Sequence, residues 1–181
     1  MSGTGCNHRL GPGTICRRTC AGGEAAHFRL DTYGNSADDT FMASTSTDVE
    51  FSRSGANADM GGSAVFNSSS SLIQHDWSAD LSQESLALAQ WCKVGCWYSC
   101  VELASHRELN TDSQGYLIDD NEPDGNWTFR SGNRTVDGNW QVLDDLGVGL
   151  GRWEHLAITD ESATETKKLF TNGVLAAEAP E

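Results

Sequence analysis

The chain has 181 residues, enough for one domain with its own core, although hydrophobic residues make up only 38% of it. Its 12 basic and 26 acidic side chains give a formal net charge of −14, which disfavours binding to nucleic acid or to an anionic membrane surface. No apolar run reaches the roughly 18 residues that span a bilayer, so membrane insertion is not expected.

The N-terminal third is the least regular part of the sequence. Residues 1–24 contain glycine, cysteine and arginine without strand periodicity, and predict a loop-rich extension. Alternation begins at residues 26–31, where Phe28 and Leu30 would lie on one face of a strand. Residues 32–60 are polar and acidic, and predict a long surface excursion with one short strand.

Short strands are predicted along the rest of the chain. Further strands are expected within residues 61–73, 85–93, 100–105, 115–118, 126–130 and 140–143, with a loop or helical turn at 74–84. Short alternating segments about 8–15 residues apart, with turns between them, predict an all-β protein. Their period of two predicts two sheets that each bury one face.

The most informative segment is residues 151–177, which predicts two strands, a polar acidic loop and a tight turn at Asn172-Gly173. One face of the first strand carries Trp153, His155, Ala157 and Thr159. The other face carries Glu154, Leu156, Ile158 and Asp160.

Five short motifs occur in a characteristic order: HFRLD, GGSAVFNS, SLALAQWCK, WEHLAITD and KKLFTNGVL. Together they resemble the concanavalin A-like, laminin-G-like family over residues 25–177. The resemblance implies a two-sheet antiparallel jelly-roll β-sandwich at residues 25–181, after the extension at 1–24. In that family two more strands follow the last motif. We therefore expect a fragment of a longer protein, or a gap filled by another element such as residues 32–60.

The cysteines form two groups of three. They are Cys6, Cys16 and Cys20 in the extension, and Cys92, Cys96 and Cys100 in the middle of the chain. The C-x3-C-x3-C spacing does not match zinc motifs, so a metal site is disfavoured. Disulfides are expected, either between the groups or within a group whose backbone turns. Reduced buried thiols are the alternative.

An acidic turn offers a candidate metal site. Asp119, Asp120 and Asp124 crowd one predicted hairpin, and carboxylate oxygens are ligands that calcium prefers. In the resembled family calcium often lies at one rim of the sandwich. The alternative interpretation is a solvated polar turn, so no cofactor is firmly predicted.

Aromatic side chains offer candidate glycan-binding residues. Trp97, Tyr98 and Trp140 flank glycine or polar residues, and are the aromatics for which we expect exposure. Three other tryptophans are predicted to be structural core residues: Trp91, Trp127 and Trp153.

A catalytic site is not predicted. The nearest carboxylate pair, Glu122 and Asp124, lies in a turn, and His155 is interpreted as a packed, hydrogen-bonded side chain. The sequence thus favours a non-catalytic module that binds a glycan or a protein partner. A glycan-cleaving enzyme and a ligand-free spacer are the alternatives. Sequons at Asn67, Asn126 and Asn133, without a signal peptide, are consistent with a segment of a longer extracellular or cell-surface protein.

Overall fold

A computed structural model describes residues 28, 30, 32–34, 40–57, 61–76, 78–81, 85–95, 102–107, 114–121, 125–133, 141–147 and 149–180. Within these residues it contains twelve strands and one short 3-10 turn at Ala79–Leu81. The strands are β1 (Ala43–Thr47), β2 (Val49–Ser54), β3 (Gly62–Phe66), β4 (Leu72–His75), β5 (Leu86–Cys92), β6 (Glu102–Arg107), β7 (Gln114–Asn121), β8 (Asn126–Asn133), β9 (Gln141–Gly147), β10 (Glu154–Glu161), β11 (Thr166–Thr171) and β12 (Val174–Pro180). The all-β prediction is confirmed.

The strands form four antiparallel sheets. One four-stranded sheet, called here the β10 sheet, has the order β12-β11-β10-β5. The other, the β8 sheet, is a meander in the order β6-β7-β8-β9. Two smaller sheets pair β1 with β4 and β2 with β3. No helix in the described residues is long and apolar enough to cross a membrane.

The two four-stranded sheets share one hydrophobic core. The buried cluster consists of Cys92, Val94, Ile118, Trp127, Phe129, Leu143, Leu156, Ile158 and Leu169. Strands β11 and β12 also approach β9 across the space between the sheets. Strands β8 and β10 each contribute alternate residues to the cluster, as the period of two requires: Trp127 and Phe129 from β8, and Leu156 and Ile158 from β10. This all-β, antiparallel arrangement is compatible with a β-sandwich.

The C-terminal hairpin has the predicted turn. Asn172 and Gly173 have φ angles of 52° and 80°, and Thr171 is opposite Val174 in the register. Two consecutive left-handed residues match the right-handed twist of the strands that they connect. The prediction of a tight Asn-Gly turn is confirmed.

The N-terminal part departs from the sequence-based expectation. Residues 32–60 contain two strands, β1 and β2, rather than one. β1 pairs with β4, which is remote in sequence, whereas β2 forms a hairpin with the next strand, β3. A strand was predicted at residues 26–31, of which the structure describes only Phe28 and Leu30. Phe28 forms an isolated β-bridge, and Leu30 has a φ of 53°. Phe28 packs against Phe41 and His75, with centroid distances of 6.3 and 4.6 Å.

Candidate functional site

The outer surface of the β10 sheet carries a strip of apolar side chains. On β10 the even-numbered residues from Glu154 to Asp160 are buried, so the odd-numbered ones face away from the core. In the register Ala157 lies between Ala89 and Phe170, and Phe170 is opposite Leu175. Opposite residues of antiparallel strands share a face, so this row crosses all four strands.

Trp91 extends the strip at the β5 edge of the sheet. It is opposite His155, and the two rings make an edge-type contact with centroids 5.1 Å apart and planes at 61°. Trp91 is 41% exposed and Leu175 is 46% exposed. We call Trp91, Ala89, Ala157, Phe170 and Leu175, together with His155, the aromatic face.

Polar groups border the aromatic face on both sides. Thr159 and Lys168 form the next row, and Lys168 Nζ lies 3.4 Å from Glu178 Oε1. On the other side, the His155 backbone N–H donates to Asn172 Oδ1 at 3.0 Å. The apolar strip is therefore narrow, and hydrogen-bonding groups lie along its margins.

Trp91 corrects a sequence-based prediction. It was predicted to lie in the core, but Leu86, Leu88 and Cys92 take the inner positions of β5, so Trp91 faces outward. The alternation along β5 already indicated this orientation, because it places Trp91 on the same face as the two alanines and on the opposite face from the leucines. Trp127 was predicted correctly, since it is 1% exposed within the core.

A second group of polar side chains lies inside the protein, around Glu154. Its Oε2 accepts hydrogen bonds from Trp127 Nε1 and from the Gly149 N–H, both at 3.0 Å. Its Oε1 accepts from Arg152 Nε at 3.0 Å, and Arg152 also forms an ion pair with it at 2.9 Å. A Cβ at position 149 would collide with the Arg152 guanidinium and approach Glu154, so glycine is needed for this close packing.

The protonation of Glu154 follows from these contacts. Burial alone would raise the pKa of its carboxyl group. The hydrogen bonds from Gly149, Trp127 and Arg152 and the positive charge of Arg152 outweigh burial, so the pKa is lowered. Both oxygens are occupied by donors, so the geometry supports a structural anion rather than a general acid or base. Sequence analysis had noted the position of Glu154 but gave it no role.

Of the three predicted metal ligands, the structure describes the side chain of Asp119 alone. Asp119 is 7% exposed, and its Oδ1 lies 3.4 Å from Arg130 Nε. A cation at this carboxylate would meet the positive guanidinium, which disfavours binding. Asp120 lies in β7 opposite Trp127, and its side chain is outside the described part, as is Asp124. In the described part of the chain no group of three His, Cys, Asp or Glu residues could hold a metal ion. The calcium hypothesis remains a prediction.

The other predicted site residues fall mostly outside the described residues. Those outside are Trp97, Tyr98, Trp140, Cys6, Cys16, Cys20, Cys96 and Cys100. Cys92 is described, and it is a buried free thiol whose Sγ lies 3.7 Å from the Glu154 carbonyl oxygen. Burial and the Glu154 charge raise the pKa of this thiol to about 12. Cys92 therefore fits the reduced-thiol alternative.

Comparisons with known proteins give no family assignment. The chain matches no known protein-family model, and no curated protein is significantly similar to it.

Proposed function

We propose that this chain is a non-catalytic recognition module that binds a glycan, or a protein partner, through the aromatic face. The observation that carries the proposal is the exposed Trp91 ring at the end of an apolar strip that crosses the β10 sheet. In soluble proteins, large contiguous patches of exposed apolar surface mark sites of interaction. The finer fold proposed is the concanavalin A-like, laminin-G-like jelly roll within a larger extracellular or cell-surface protein.

The chemistry of the face favours a glycan. An indole ring offers an apolar surface to the C–H groups of a sugar ring. Ala89 and Ala157 beside it have short side chains, which leaves room for a flat ring at the surface. Thr159, Lys168 and Glu178 lie one row away, where they could hydrogen-bond to sugar hydroxyl groups. An apolar group attached to a sugar, or an apolar side chain of a protein partner, could bind to the same strip.

The test is a glycan array with labelled protein, followed by affinity measurements on two variants. Trp91→Ala removes the indole, and we expect at least a tenfold loss of affinity. Phe66→Ala is the matched control, since Phe66 is an exposed aromatic residue on β3, in a different sheet. It should keep wild-type affinity, and both variants should keep a cooperative melting transition. Wild-type binding by Trp91→Ala would contradict the proposal, and a blank array with no protein partner would favour the spacer interpretation.

One observation supports the alternative function, a glycan-cleaving enzyme. The register of the β8 sheet places Glu102, Asp119, Thr128 and Asp144 in one row across its four strands. Neighbouring strands are about 4.8 Å apart, so the two spacings from β7 to β9 put the backbones of Asp119 and Asp144 about 10 Å apart. Glycosidases place paired carboxyl groups about 5–10 Å apart. However, Asp119 is buried and paired with Arg130, so binding is favoured over cleavage.

The enzyme alternative has its own test. Release of reducing sugar ends from polysaccharides would be measured for the wild type and for Asp144→Asn. Activity that disappears in this variant would replace the binding proposal with the enzyme. If no glycan that binds on the array is hydrolysed, the proposal of recognition without cleavage stands.

A further inference from the structure

The three sequons lie in different structural settings. Asn67 directly follows β3 and is exposed, in the loop that leads to β4. Asn126 is the first residue of β8 and is half-buried, with Asn121 of β7 and Gly147 of β9 as its register partners. Asn133 is the last residue of β8, and its side chain is outside the described part.

We propose that Asn67 is an N-glycosylation site of this chain and that Asn126 is not. The inference goes beyond ligand binding. It shares with the proposed function only the premise that the chain enters a secretory compartment. The structure supports it by the exposure of Asn67 and of the residues that follow it.

The surroundings of Asn67 have room for a sugar. Its Nδ2 donates a hydrogen bond of 2.9 Å to Glu50 Oε1, which orients the amide and leaves a second N–H available. An open depression of about 540 Å³ adjoins it. This depression is lined by Ser46, Asp48, Val49, Glu50, Asn67 and Ser68. Oxygen-rich walls of this kind can hydrogen-bond to the hydroxyl groups of a first sugar residue.

The turn after Asn67 is held in place without the sequon hydroxyl group. Asp48 Oδ2 accepts from Ser70 Oγ at 2.8 Å, and the Asp48 carbonyl accepts from Ser71 Oγ at 2.7 Å. Ser69, which supplies the hydroxyl group of the sequon, is exposed and takes part in neither bond. Ser69 can therefore be replaced without loss of these contacts.

Asn126 lies in a setting that excludes a large substituent. Its sequon continues with Trp127 and Thr128, which are 1% and 0% exposed. The backbone of this segment is hydrogen-bonded on both sides, to β7 and to β9. The hydroxyl group of Thr128 is thus inaccessible in the folded protein. A glycan on Asn126 would crowd the start of β8, where this strand pairs with β7 and β9.

The transfer requires a lipid-linked oligosaccharide as donor. Asn67 Nδ2 forms a bond to C1 of the first sugar, and the bond from C1 to the pyrophosphate oxygen breaks. The pyrophosphate leaves on the lipid carrier, and one proton of Nδ2 goes to a base of the transferase. One N–H remains on Nδ2, so the hydrogen bond to Glu50 can persist.

The test uses the full chain expressed behind a cleavable secretion signal in eukaryotic cells. Peptide mass mapping before and after N-glycosidase treatment reports the occupancy of each asparagine. We expect a glycan on Asn67, its loss in Ser69→Ala and its return in Ser69→Thr. Asn126→Gln should leave the glycan mass unchanged.

Two results would overturn the inference: an unmodified Asn67 in the secreted wild type, or a glycan on Asn126 in the folded protein. Neither result bears on the aromatic face, because the Trp91 affinity assay can be run on protein without glycans. Failure of this inference and failure of the proposed function are therefore distinguishable.

Discussion

Trp127 Nε1 donates a hydrogen bond of 3.0 Å to Glu154 Oε2, and each residue is 1% exposed. The two residues belong to different four-stranded sheets, since Trp127 lies in β8 and Glu154 in β10. The bond therefore connects the two sheets through their shared core. A buried carboxylate is stable there because Gly149 and Arg152 supply further donors.

Glu154→Gln should destabilise the protein. The amide group of glutamine turns one acceptor into a donor, so at least one of the buried N–H groups around it loses its partner. We expect a loss of about 2–3 kcal/mol in the free energy of unfolding. Urea denaturation followed by circular dichroism would measure it. Glu178→Gln is the matched control, because Glu178 pairs with Lys168 at the surface and should contribute less than about 1 kcal/mol. Equal effects of the two variants would contradict a structural role for Glu154.

The contribution of Glu154 should depend on pH. The pKa of its carboxyl group in the folded protein is below the usual value of 4.5. A lowered folded-state pKa contributes stability above the unfolded-state value, and this stability is lost as the pH falls through the folded-state value. The stability difference between wild type and Glu154→Gln should be constant from neutral pH to about pH 5 and shrink below 4.5. Urea midpoints at several pH values would show this, and a difference that grows on acidification would have the wrong sign.

The turn at Gly173 should resist substitution for conformational reasons alone. Gly173 has a φ of 80°, and a Cβ added there would meet no atom within 4 Å. Gly173→Ala therefore costs backbone strain, of about 1–2 kcal/mol, rather than a collision. Gly95→Ala is the control, since Gly95 has equally open surroundings and is not in the left-handed region. Thermal melts of both variants would decide, and an unchanged Gly173→Ala would argue against the two-residue turn.

Cys92 should be unreactive in the folded protein. Its thiol is buried, and its pKa of about 12 leaves almost no thiolate at pH 8. Iodoacetamide at pH 8 should modify Cys92 only after the protein is unfolded in urea, as measured by peptide mass mapping. Rapid modification under native conditions would show that this edge of the core opens, and recovery of Cys92 in a disulfide-linked peptide would contradict a free thiol.

The sequence predicted which residues form strands better than it predicted which strands pair with each other. Alternation and the Asn172-Gly173 turn gave β10, β11 and the final hairpin, because both signals are local. The pairing of β1 with β4 depends on residues about thirty positions apart, and no local pattern encodes it. The core position of Trp91 was a wrong inference from residue type, whereas its alternation with the inward-facing Leu86 and Leu88 places it on the outer face. The role of Glu154 depends on Trp127 of β8 as well as on Gly149 and Arg152 just before β10, and no local motif could reveal the contact with Trp127.

The apolar strip lies on a strongly acidic molecule, and this combination governs how copies of the protein meet. At low ionic strength the net charge of −14 keeps neighbouring molecules apart, so the exposed Trp91 and Leu175 side chains seldom touch another copy. At physiological salt the repulsion is screened beyond about 8 Å, and hydrophobic attraction acts at contact. Colloidal behaviour should therefore shift from repulsive to attractive as salt is added, and concentrated stocks should stay dispersed best in dilute buffer.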